Sequence, residues 1–153
     1  MRLMRTRAWA TAVLLFGAGL GGVVGTASTA QASVAECSNG ANGFVSIPYN
    51  KSGSVKTSVS LGRTTVQLHV GPISGKDYGW AKITGSTVKG DQVWLDWTTT
   101  GGNGWLQCGP WSVQSDGAPN TSAAQVVKYT DSQWLFRACG KQVGGSSKCT
   151  AWW

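Results

Sequence analysis

A chain of 153 residues with thirteen cations, six acids and one histidine carries a formal charge of +7, yet charged residues make up only 12% of it. Cations spread this thinly exclude the basic runs that mark a nucleic-acid arm, and the length fits one domain with a real core. Nine tryptophans and four cysteines are the excesses that need explaining.

The first 32 residues read as an export signal. Arg2, Arg5 and Arg7 form a positive start, a glycine-broken apolar run covers residues 10–24, and Ala30-Gln31-Ala32 offers small residues to a signal peptidase. The apolar run is shorter than the roughly 20 residues of a membrane span, so the chain is expected to be secreted from Ser33 onward with no anchor left after cleavage. Losing three arginines and Trp9 leaves ten cations against six acids, a net charge of +4, and eight tryptophans. Residues 33–43 are expected to be a lead-in, and residues 44–153 a single domain.

Cys37, Cys108, Cys139 and Cys149 all lie beyond the cleavage site, and an even count in an exported chain reads as disulfides. A zinc site wants C-x-x-C spacing or a histidine partner, and neither occurs, so no metal or cofactor is expected. Of three possible connectivities, Cys139 with Cys149 is favoured because the pair flanks a glycine-rich, hairpin-like segment at residues 140–148. Cys37 with Cys108 follows by elimination.

Two-residue alternation recurs, and no 3.6-residue apolar period does. Val55, Thr57, Val59 and Leu61 alternate with Lys56, Ser58 and Ser60. Val66, Leu68 and Val70 alternate with Gln67 and His69, and Val93, Leu95 and Trp97 with Trp94 and Asp96. Further strands are expected at residues 44–49, 78–84, 105–108, 111–114, 125–129, 134–139 and 148–153. Asn42-Gly43, Ser52-Gly53, Gly71-Pro72, Ser74-Gly75, Lys89-Gly90, Gly101-Gly102-Asn103-Gly104 and Asp116-Gly117 supply turns between them. The pattern implies an all-β, antiparallel sandwich with two disulfides.

Val93-Trp94-Leu95-Asp96-Trp97 and the later Trp134-to-Cys139 stretch resemble immunoglobulin-like and fibronectin type III-like sandwiches, whose strands carry an inward Trp; the resemblance runs from Tyr78 onward. The segment from Trp94 to Trp111, Phe136-Arg137-Ala138-Cys139-Gly140 and the terminal Cys149-Thr150-Ala151-Trp152-Trp153 resemble small secreted Trp-rich proteins of actinobacterial type, a group that implies no activity. Residues 98–105 resemble an Asp-box hairpin with Thr100 in place of its aspartate, a folding element rather than a catalytic one.

Chemistry is thin. Parity places His69 on an exposed strand face beside Gln67, no nucleophile elbow appears, and Glu36 and the five aspartates show no pairing, so no catalytic residue is assigned and no enzyme is expected. Aromatic surface remains. With Val93, Leu95 and Trp97 turned to the core, Trp94 faces the wet side with Asp96. Trp80 shares a face with Lys82 and Thr84, so Trp94 and Trp80 are the candidate ligand-stacking residues. Cation–π packing competes with that role, Arg137 being placed to cover Trp134. The expected function is a monomeric, secreted, non-catalytic binding module for polysaccharide or another surface component. A secreted inhibitor or protein-interaction domain offering the 140–148 loop is the alternative, and a cationic envelope-active protein a weaker one.

Overall fold

The structure, a computed structural model, describes residues 33–153; the expected export signal at residues 1–32 lies outside them. Nine antiparallel strands form two sheets: β1 (Ser54–Leu61), β2 (Thr64–Ile73), β3 (Lys76–Gly85), β4 (Gln92–Thr98), β5 (Leu106–Ser112), β6 (Asn120–Thr121), β7 (Gln125–Val126), β8 (Leu135–Lys141) and β9 (Ser147–Cys149). One sheet runs β1-β2-β3-β6, with β7 also pairing β3, and the other runs β5-β4-β8-β9. Val66, Leu68, Ala81 and Ile83 of the first sheet meet Val93, Leu95, Phe136 and Ala138 of the second in one buried cluster. Alternation writes that core directly into the sequence, because every second side chain of a strand turns inward.

Both disulfides form as expected. Cys37 reaches Cys108 inside the cluster, closing a separation of 71 residues, and Cys139 bonds Cys149 across β8 and β9 with Cα atoms 4.0 Å apart. Trp97 turns inward as expected, edge-on to Phe44 at 5.7 Å and to Trp134 at 4.8 Å between ring centroids. No helix among the described residues is long and apolar enough to cross a membrane.

Several expected elements differ. Residues 44–49 form no strand: only Val45 bridges, to Ala124, before the chain turns at Tyr49 and Asn50. Gly71-Pro72 is not a turn, because β2 continues to Ile73 and pairs Pro72 with Asp77. Proline is tolerated there because β1 begins opposite Val70, so no ladder needs the missing N–H on that side. The reversal comes at Ser74 and Gly75, with φ of 49° and 81°. The expected strands at residues 105–108 and 111–114 are one strand, bulged at Gly109, and β9 stops at Cys149, before the terminal tryptophans.

Candidate functional site

Trp80, Lys82 and His69 do lie on the outer face of the first sheet, as expected, yet the patch they form is not wet. Residues 48–53 fold back across it. Gly53 donates its N–H to His69 Nδ1 at 3.1 Å, and Lys82 Nζ donates to Asn50 O at 3.0 Å and Ser52 Oγ at 2.7 Å. Trp80 is 0% exposed, its indole occupying space left by Gly53 and Gly71; a Cβ on Gly53 would lie 2.8 Å from the ring. His69 is buried too, a correction of the expected exposed ring. Burial lowers its pKa, and Nε2 meets Gln67 Oε1 at 3.1 Å, so the network assigns a neutral ring.

Trp94 is 9% exposed and flanked by the Cys139 strand position and by the Gly109 bulge. The expected exposed strip of Trp94 and Trp80 is therefore absent: one ring has no accessible face and the other almost none. Arg137 does form the expected cation–π contacts, but with different rings. Its guanidinium lies 4.5 Å from the Trp105 ring and 4.6 Å from the Trp152 ring, while Lys128 covers Trp134. Beneath Arg137 sits Asp96, bonded at 2.8 Å; burial raises its pKa, and the arginine works against that shift. Thr98 Oγ1 takes the N–H groups of Thr100 and Gly102 and donates to Gly104 O at 2.7 Å, fixing the loop that presents Trp105. Much of the tryptophan excess is thus structural.

A ligand-sized concavity lies elsewhere, where the edges of the two sheets part at β5 and β6. About 300 Å³ in volume, it is lined by Ser46, Ile47, Tyr49, Trp111, Ser112, Gln114, Asn120, Thr121, Ser122 and Ala123. A neighbouring hollow of about 200 Å³ shares Tyr49, Gln114 and Asn120 with it. Tyr49 is 59% exposed. Its turn is held rigidly: Lys51 N donates to Pro48 O, Thr121 Oγ1 donates to Pro48 O from β6, and Lys82 grips Asn50 from β3.

The polar walls are ordered as well. Asn120 Nδ2 and Gln114 Nε2 both donate to Ser112 O, at 2.8 and 2.7 Å, and Asn120 Oδ1 accepts the Thr121 N–H. Among the described residues the hydroxyls of Ser46 and Ser112 and the Oε1 of Gln114 make no hydrogen bond, so they remain available to a ligand. The lining carries no carboxylate, imidazole, ammonium or thiol. An aromatic ring beside unspent hydroxyls and a carbonyl suits a neutral, hydroxyl-rich ligand. Sequence reading missed this site because residues 46–49, 111–114 and 120–123 meet only through the fold. The turn before β1 was the one available signal, and an expected strand hid it.

Compared with known proteins, the chain matches no family model, no curated protein and no solved structure.

Proposed function

We propose that the protein is a secreted, non-catalytic module that binds neutral stretches of a polysaccharide in the cleft between β5 and β6. The observation that carries this reading is Tyr49, an exposed ring on a clamped turn beside uncommitted hydroxyls and an amide carbonyl. Preorganisation matters because a ring that is already fixed loses little entropy when a sugar stacks on it. Two disulfides support an oxidising, extracellular setting. The immunoglobulin- or fibronectin-like assignment belongs to the same proposal: the inward Trp97 on β4 favours it, and the consecutive β1-β2-β3 meander does not.

The test is retention on insoluble cellulose, chitin, xylan and mannan. Wild type is expected to be held by at least one of them, and Tyr49→Ala to elute with the void at unchanged thermal stability. Wild type that binds none, or a Tyr49→Ala variant that binds undiminished, overturns the reading.

The hairpin between β8 and β9 favours a second reading, inhibition or docking of a protein partner. Val143 at its tip is 60% exposed, while Val143 N–H to Asp91 and Gln142 to Thr64 tie the loop down. A panel of extracellular proteases assayed with and without the protein separates the two readings.

A further inference from the structure

We propose a second subsite, for the anionic group of a charged polysaccharide, at the far end of the same sheet edge as the Tyr49 cleft. It rests on the glycan-binding reading and adds the charge class of the polymer. A hollow of about 170 Å³ opens just after β7, walled by Trp134, Trp153 and Tyr129 and floored by Leu135. Lys128 Nζ sits 3.7 Å from the centre of the Trp134 ring, and Lys56 Nζ 5.3 Å from that of Trp153. Trp134 is fixed by its own N–H, which donates to Val126 O at 2.8 Å, and Tyr129 stands edge-on to Trp153.

Arg63 and Arg137 are each spent on a buried aspartate, but neither Lys56 nor Lys128 has a carboxylate partner within salt-bridge distance among the described residues. Two acids do lie close by. Asp131 lines the hollow and accepts the Gln133 N–H, and Asp77 accepts the Tyr129 hydroxyl at 2.6 Å. Neither carboxylate reaches an ammonium group, so both lysines keep their donors for a ligand anion.

A lysine laid over an indole has already lost much of its rotamer freedom. A carboxylate or phosphate arriving beside it gains a charge-assisted hydrogen bond at reduced ordering cost. The aromatic walls meanwhile suit the ring that bears the anion.

The two sites also share a line. Asn120 pairs with Ile83 and Val126 with Tyr78, five residues apart on β3, which places the cleft and the hollow roughly 17 Å apart along one strand. A polymer lying on that edge meets hydroxyl-seeking groups at one end and Lys128 at the other, where Lys56 reaches Trp153 from β1.

Affinity for polygalacturonate, its fully methyl-esterified neutral form and a poly(glycerol phosphate) is compared at about 50 mM salt, where surface charges are weakly screened. Wild type is expected to prefer one or both anionic polymers to the neutral one by about tenfold, the scale of a charge-assisted hydrogen bond. Preference for the first identifies a carboxylate, for the second a phosphate. Lys56→Gln with Lys128→Gln is expected to abolish the preference while keeping neutral binding, and Tyr49→Ala to weaken both galacturonans alike, since poly(glycerol phosphate) offers no ring to stack. Equal wild-type binding of charged and neutral polymers, or a preference that survives the double variant, overturns the proposal. If Tyr49→Ala changes nothing while the double variant loses the anionic polymers, the cleft reading fails and this one stands.

Discussion

Trp80 and His69 lie opposite each other on β3 and β2 with ring centroids 6.0 Å apart and planes within 22° of parallel. This stack, roofed by residues 48–53, turns the part of the first sheet's outer face around His69, Trp80 and Lys82 into a second buried layer. Truncating Trp80 to Ala removes a fully buried indole and is expected to cost about 3–5 kcal/mol in urea unfolding. A loss below about 1 kcal/mol contradicts the layer.

Lys82 is 6% exposed, and burial lowers its pKa, yet it spends its protons on Asn50 O and Ser52 Oγ. Lys82→Met keeps the stem and removes the donors. It is expected to lower stability by about 1–3 kcal/mol, the cost of stranding buried partners, and to weaken glycan retention by loosening the turn under Tyr49. Unchanged retention with normal stability shows that the clamp does not position the ring.

His69 and Asp91 are expected to make acid destabilise the fold in two windows of the same sign, against which the raised pKa of Asp96 works. Burial holds the folded pKa of His69 below the ordinary 6.5, so the unfolded chain takes up its proton first and stability declines as pH falls through that value. Asp91 is held at about 2 rather than 3.8, chiefly by its hydrogen bonds to Arg63, which donates at 2.6 and 2.8 Å. Its contribution, on the order of 2 kcal/mol, is present above pH 4 and lost between about 4 and 2. Thermal melts across pH 2 to 8 check this: Asp91→Asn removes the lower window and His69→Gln the upper.

Gly53 and Gly145 form a matched pair. A Cβ on Gly53 would meet Val70 O at 2.5 Å and Trp80 at 2.8 Å, whereas one on Gly145 finds only ordinary contacts from 3.5 Å outward. Gly53→Ala is expected to cost about 1–3 kcal/mol through overpacking. Gly145→Ala is expected to be neutral or to gain a few tenths, because it restricts the unfolded chain. Equal melting temperatures for the two variants refute the steric account.

Strands β1 to β4 and both disulfides were legible because alternation and cysteine spacing are local signals. What covers a face is not local. Parity put Trp80 and His69 on the right side of the sheet, and only the return of residues 48–53, tied down by Lys82 and Gly53, decides that this patch of it is dry. The cleft was illegible for a related reason: Tyr49, Trp111 and Asn120 belong to three separate segments, and no period links them. Trp94 was misread because a neighbouring disulfide and the bulge at Gly109 narrow the space above it, and neither effect shows in the strand's own pattern.

The two disulfides differ in what a reductant can touch. Cys37 and Cys108 are 1% and 0% exposed, whereas Cys149 is partly exposed on a three-residue edge strand. Exchange requires a thiolate to reach a sulfur, so a mild reductant is expected to open Cys139–Cys149, through Cys149, before the inner bond. The inner bond yields only when the sheets separate, and with reductant in excess its loss proceeds at the rate of global opening. One bridge therefore reports the redox state of the surroundings, and the other keeps time on how long the fold survives in them.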